Sequence, residues 1–346
     1  MSPRGKKILK WVGYPLFYLF ALVTFLYLTL PTDRAKTKIE AEFNARQTDE
    51  NPLTLRIGDL DTYWLSGVEV EDVELVGQPN VTEDGKLAKA ERFSITRATA
   101  RASIWSAIVG DTSVSFDAEA FDGTIKGTYA NEDGTQHIHV EVQDLGVNKL
   151  PFVQAAIGIP MQGSMTGTVD LTIPGGKLAE ADGTVELEVQ GLRVGDGKTK
   201  IRDTIALPEI KAGTLSLKAE ATAGTVTVSE LKCDGTDIKV DAAGKIKLRD
   251  PFDSSLAEMT LSFSFKDAYR DKNEMTAALL GKTGGPPGVL DLDPKVKRAK
   301  KPDGSYAWRL SGPVGKLRFD PASGGSSLRG NSLRNRLKGG SVLQRK

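Results

Sequence analysis

From about residue 50 to residue 320 the chain alternates apolar and polar positions with a period of two. Ile138, Val140 and Val142 alternate with His139, Glu141 and Gln143, and Val169, Leu171 and Ile173 with Asp170 and Thr172. Val185, Leu187 and Val189 alternate with Glu186, Glu188 and Gln190; Met259, Leu261, Phe263 and Phe265 alternate with Thr260, Ser262, Ser264 and Lys266. Successive side chains of a strand point to opposite faces, so this pattern predicts sheet with one apolar and one polar face. Turn signals separate the strands at Asp133-Gly134, Pro174-Gly175-Gly176, Asp182-Gly183 and Asp234-Gly235. The expected topology is antiparallel meanders, because parallel strands need helical crossovers and the sequence has none of that kind. Residues 102–109, 149–158 and 271–280 break the rhythm and predict one to three helical turns each. A Gly/Pro-rich loop over 281–288, a basic stretch over 295–301 and a closing hairpin over 303–319 follow. Residues 321–346, with Gly, Ser, Arg and Lys but no acid, predict a disordered cationic tail.

The N-terminal end has another pattern. Residues 11–30, bounded by Trp11 and Leu30, carry no charge. That matches the roughly 20 residues needed to cross a hydrocarbon core of about 30 Å. Arg4, Lys6, Lys7 and Lys10 precede the stretch without an acid among them, which predicts a cytoplasmic N-terminus and a periplasmic body. A cleaved signal peptide is the competing reading. It would have a shorter apolar run and a small-x-small site, whereas Tyr27, Leu28 and Leu30 crowd this end. Residues 33–46 (DRAKTKIEAEFNAR) predict a short helix, with Ile39 and Phe43 on one face. The expected domains are therefore a basic segment (1–10), a membrane-spanning helix (11–30), a periplasmic β-rich body (31–320) and the tail.

Lys plus Arg (46) and Asp plus Glu (45) nearly cancel, so the body has no electrostatic footprint for nucleic acid. A single cysteine, Cys233, precludes an intramolecular disulfide. Candidate chemistry is sparse. His137, His139 and Glu141 share one strand face and would need a fourth ligand to make a zinc-like site; a solvated face explains them. Cys233 has no helix N-terminus to activate it and reads as a structural thiol. The acidic segments around Asp133 and Asp196 lack the ligand spacing of a calcium loop, and the glycines do not cradle a phosphate before a helix. No catalytic residue, metal or cofactor is expected. The basic stretches at 295–301 and 329–346 are solvated or meet anionic headgroups or peptidoglycan.

Several segments, taken in order, resemble the type II secretion system protein N (GspN) family of AsmA-like envelope proteins. Trp64-Leu65-x-Gly67-Val68 is similar to its opening strands, and Leu150-Pro151-Phe152, Gly163, Gly167, Asp170-Leu171, Gly183 and Gly191-Leu192 to its central repeat. Pro208, Gly213-x-Leu215, Gly235-Thr236-Asp237, Gly244 and Asp250-Pro251-x-x-Ser254 are similar to its later strands, and Tyr306 and Gly312 to its final hairpin. The resemblance implies a non-enzymatic inner-membrane component of the secretion machinery, or an accessory to it, with other secretion or envelope proteins as partners. Its AsmA side implies an alternative, a periplasmic module that binds or transfers phospholipid.

The apolar face is where these functions part. Met259, Leu261, Phe263 and Phe265 point one way from one strand. Either two sheets close over such faces as a sandwich, or one curved sheet leaves an apolar trough.

Overall fold

The computed structural model describes residues 32–45, 53–64, 66–77, 92–103, 106, 110–150, 159–197, 200–201, 205–206 and 208–322. The expected span over 11–30, the basic segment before it, most of the predicted helical segments at 102–109 and 149–158, and the tail from 323 lie outside them. No helix among the described residues is long and apolar enough to cross a membrane.

The body is antiparallel β, as the period of two predicts, and among the described residues every strand but the two of a small ribbon belongs to one sheet. Helix α1 (Thr32–Ala45) leads into β1 (Thr54–Arg56), β2 (Asp59–Tyr63), β3 (Gly67–Val76), β4 (Arg92–Ala102), β5 (Thr112–Ala120), β6 (Gly123–Glu132) and β7 (Thr135–Gly146). Next come β8 (Met161–Ile173), β9 (Asp182–Val194), a two-strand ribbon of β10 (Lys200–Ile201) and β11 (Ile205–Ala206), β12 (Ile210–Thr222), β13 (Thr225–Asp234), β14 (Ile238–Lys247) and β15 (Leu256–Phe265). Three short helices, α2 (Asp267–Arg270), α3 (Glu274–Leu280) and α4 (Pro294–Ala299), precede β16 (Tyr306–Pro313) and β17 (Arg318–Pro321). Apart from the ribbon, each strand pairs with its neighbour in sequence, except that β1 and β2 both pair β3 and β12 pairs β9. The result is a meander of 15 strands.

Two boundaries differ from the sequence reading. Asp182-Gly183 opens β9 and makes no turn; Gly183 (φ 150°) lies so close to β8 that a Cβ would come 2.0 Å from the Asp170 carbonyl oxygen. The predicted tail begins too early, since Pro321 is the register partner of Trp308 and the Ala322 N–H donates to the Ala307 carbonyl.

Helix α1 forms as expected and meets the sheet through polar side chains. Lys36, Glu40 and Asn44 recur every four residues and so share a stripe. Lys36 Nζ donates to the Gly58 carbonyl (2.7 Å), while Glu40 Oε1 and Asn44 Oδ1 accept from the Ile57 and Leu55 N–H groups (2.7 and 2.8 Å). The helix thus satisfies the open backbone edge at β1, and Ile39 stays 44% exposed.

Open sheets rarely exceed about 10 strands without curling or splitting. Here the register shifts at Lys218/Ala219, Val228/Leu231, Val142/Leu145 and Gln162/Ser164 are bulges, which bend a strand and increase its twist. The longest connections leave from one edge, and those at the other edge are nine residues or fewer. Residues 147–160, 195–209 and 266–305 all join strands at the end where Val194, Ile210 and Phe265 lie, whereas the β6–β7 and β12–β13 turns at the other end are tight.

Candidate functional site

Register partners in an antiparallel sheet share a face, so the apolar surface can be traced residue by residue. One row starts at Leu60 and passes through Val70, Ala98, Ala118, Ile125, Val142 and Gly167. It continues through Leu187, Leu217, Leu231, Ala242 and Leu261 to Trp308. Thirteen strands contribute and none supplies a polar side chain. A parallel row runs from Tyr306 through Phe263, Val240, Cys233, Leu215, Val189 and Met165 to Leu145. A third holds Phe319, Leu310, Met259, Gly244, Val228, Ala219, Val185, Val169 and Val140.

Among the described residues the only other sheet is the β10–β11 ribbon, so no second β layer closes over these rows. Burial reflects this. Most of the Leu60–Trp308 row is half-buried; only Leu60, Val142 and Ala242 are buried outright. The buried residues fall into five separate clusters, largely toward the strand ends, rather than one continuous core. On the connection-rich edge a cap forms where Ile210, Tyr269, Leu279 and Leu280 pack with Val194, Ile238 and Phe265.

The four residues singled out on β15 do share a face, and all four are half-buried. They divide by surroundings. Phe265 stacks on Tyr269 (5.7 Å) and Phe263 on Tyr306 (5.3 Å), beneath the cap, while Leu261 and Met259 continue along the face beyond it. A latch holds the cap down. The Tyr306 hydroxyl donates to Asp291 Oδ1 (2.9 Å), and Lys300 Nζ reaches Asp291 Oδ2 (2.5 Å); Asp291 is 7% exposed. Burial, and then the Asp291 carboxylate, push the Tyr306 phenol well above its ordinary range, so it stays a donor. Neither latch nor cap is visible in the sequence, because Asp291 lies in a Gly/Pro-flanked connection that carries no periodic signal.

The sequence-nominated polar groups are also placed. Cys233 sits 4% exposed on interior strand β13, where burial raises its thiol above the usual range; this is a packed thiol, in line with the structural reading. His137 and His139 lie on the polar face with Glu141. The sequence reading missed the third partner. Asp170, on the neighbouring strand, takes His139 Nδ1 in a very short contact, while Glu141 takes Nε2 at 3.3 Å. The carboxylates therefore sit on opposite ring nitrogens and do not converge on one point, as a metal would require. Together they raise the imidazole above its usual range, Asp170 contributing most.

Fold and face together define a class: a one-layer antiparallel meander whose apolar face is half-buried and capped along one edge. Compared with known proteins, the chain matches no family model, no curated sequence and no solved structure.

Proposed function

We propose that this chain is a non-enzymatic envelope protein that holds acyl chains of phospholipid along the apolar face of its sheet. The observation that carries the reading is the unbroken apolar row from Leu60 to Trp308, with no second sheet over it among the described residues. Contiguous apolar surface of this extent marks an interaction site in soluble bodies. At about 4.8 Å per strand the row is on the order of 55 Å long, several acyl chains end to end. The ligand chemistry is apolar and extended, since the rows offer shape and no hydrogen bonds. The sequence expectation of an inner-membrane anchor over 11–30 would place the trough next to a lipid source. The resemblance to the GspN family adds a setting, the type II secretion apparatus or its neighbourhood.

The test is photolabelling of the full-length chain in its native membrane with a diazirine-bearing fatty acid incorporated into phospholipid. Adducts are expected at Leu187, Leu217, Leu231 and Leu261. Adducts confined to residues 11–30 would overturn the lipid reading. Loss of cargo export on deletion, without trough labelling, would leave the secretion role as the function.

A further inference from the structure

The opposite, polar face carries a second feature. Near the tight-turn edge a cleft of about 410 Å³ opens over β2 to β7. Its floor is set by register. Tyr63, Gly67, Arg101, Ser115, Thr128 and His139 form one row, and Thr99, Asp117, Lys126 and Glu141 the next. Gly67, the register partner of both Tyr63 and Arg101, puts no side chain between them: a Cβ there would come 3.2 Å from Tyr63 Cδ1. Asp117 pairs with Lys126 at 3.1 Å, and His139 is engaged at both nitrogens. Arg101 differs. It makes no ion pair among the described residues, and its guanidinium lies 5.8 Å from the ring centroid of Trp64. Trp64 is 65% exposed and sits at φ 52°, a left-handed conformation rare for an aromatic residue.

The direction of α1 says what this edge faces. Asn44 lies against Leu55, Glu40 against Ile57 and Lys36 against Gly58, so the helix N-terminus points along β2 toward Trp64. From that last contact Thr32 is about 6 Å further along the helix. Tyr63 is about 17 Å further along the strand. Trp64 therefore stands on the order of 10 Å ahead of Thr32, the first residue of the helix and the described residue nearest in sequence to residues 11–30. If those residues span the bilayer, that reach exceeds the headgroup layer, roughly 5–8 Å per leaflet.

We infer that this cleft seats the zwitterionic headgroup of a membrane phospholipid. Arg101, with the Ser115 and Thr128 hydroxyls, takes the phosphate; Asp117 and Glu141, paired with Lys126 and His139 but with side chains still 48% and 47% exposed, accept the ammonium as a second cation; and Trp64 enters the interface beside them. A guanidinium suits a phosphate. Asp117 sits diagonally from Arg101 across the ladder, about 7–8 Å away, on the scale of a phosphate–ammonium headgroup. The charges are opposed in pairs, Arg101 and Lys126 against Asp117 and Glu141 with His139 held by Asp170 beside them, which favours a zwitterion over an anionic lipid. The inference rests on the anchor reading and concerns the face opposite the trough.

The experiment uses the full-length chain reconstituted in phosphatidylethanolamine vesicles brominated on the acyl chains. The Trp64 signal is isolated as wild type minus Trp64→Phe emission. That component is expected to be quenched, with quenching falling at least twofold in Arg101→Gln, recovering in Arg101→Lys, and weaker in phosphatidylglycerol vesicles. An unquenched Trp64 component, or equal quenching in Arg101→Gln, would overturn the inference. Relief of quenching by soluble glycerophosphoethanolamine would assign the cleft to a free ester in place of the membrane. Photolabelling of the trough is a separate readout, so failure there leaves this result standing or falling by itself.

Discussion

A charge placed on the apolar face distinguishes a trough from a core, and β15 offers both environments on one strand. Leu261 and Ala257 point the same way, being four residues apart. Leu261 is half-buried between Ala242 and Trp308, whereas Ala257 is 2% exposed between Ile246 and Gly312. Fully burying a leucine is worth about 1.5–3 kcal/mol, so half of that, about 1 kcal/mol, is lost in Leu261→Asp. The poor strand propensity of aspartate adds up to about 1 kcal/mol. The carboxylate itself keeps much of its hydration on an open face. The expected cost is about 2 kcal/mol, or a fall of roughly 4–8 °C in melting temperature for domains of 150–250 residues. In Ala257→Asp the carboxylate has no water and no partner. That costs several kcal/mol, comparable to the whole stability of an ordinary domain. The assay is a thermal melt of both variants in the full-length protein, with photolabelling on the same samples. The expected result is a preserved transition with trough labelling lost in Leu261→Asp, and a collapsed transition in Ala257→Asp. A closed core over β15 would make the two variants collapse alike, and that outcome would refute the trough.

Four further outcomes are expected. A periplasm-dependent phosphatase fused after residue 60 should be active; an inactive fusion would refute the expected topology. Tyr306→Phe should destabilise the cap by about 1.5–3 kcal/mol, the range for a hydrogen bond to a charged group, seen as faster amide exchange over Val289–Leu292 and Pro294–Ala299. His139→Gln should be nearly silent once the pH exceeds the folded-state value of the imidazole. Because Asp170 and Glu141 raise the folded-state pKa, the stabilisation by His139 is fully present below the ordinary histidine value of about 6.5 and is lost as pH rises through the higher folded value; a variant-to-wild-type gap in melting temperature that widens with pH would contradict this. The Cys233 thiol should resist a neutral aromatic disulfide until the chain is unfolded, so immediate stoichiometric reaction in the native protein would show that β13 is not packed as described.

The sheet was legible in the sequence because its signal is local. A period of two needs only the pleat, and the alternating runs around Ile138, Val169, Val185 and Leu261 fall within β7, β8, β9 and β15. The number of layers was not legible, since one apolar face per strand serves a sandwich and a single curved sheet equally well. That choice lies in the connections. At Asp182-Gly183 the local rule misled: the pair carries turn chemistry, yet Gly183 is required by close approach to β8. At α1 the sequence placed Ile39 and Phe43 on one face, and it did not show that Lys36, Glu40 and Asn44 meet the strand edge at β1, because that contact depends on where the chain returns after the helix. His139 was assigned correctly to a polar face, and its Asp170 partner was hidden because a cross-strand register depends on the length of every turn between them.

A one-layer sheet must still exclude water from its apolar face, and the placement of the connections shows how this chain divides that task. Residues 147–160, 195–209 and 266–305 leave from one edge only. Their described parts bury Val147, Leu150, Tyr269, Leu279 and Leu280 against that edge. On the other edge the 3₁₀ turn at Leu178–Glu180 brings Leu178 against Ile173 and Leu248, sealing the strand ends without crossing the face. Between the two seals the rows through Met259 and Leu261 stay half-buried. A folding optimum alone would cover them, as a second sheet does in a sandwich. No second sheet covers them among the described residues, and on the proposed function an acyl chain takes that place. On the lipid proposal the occupant is thin, apolar and long, because the row it lies along is continuous across thirteen strands and offers apolar side chains, while the latch at Asp291, Lys300 and Tyr306 fixes the cap at the β15–β16 end of that row.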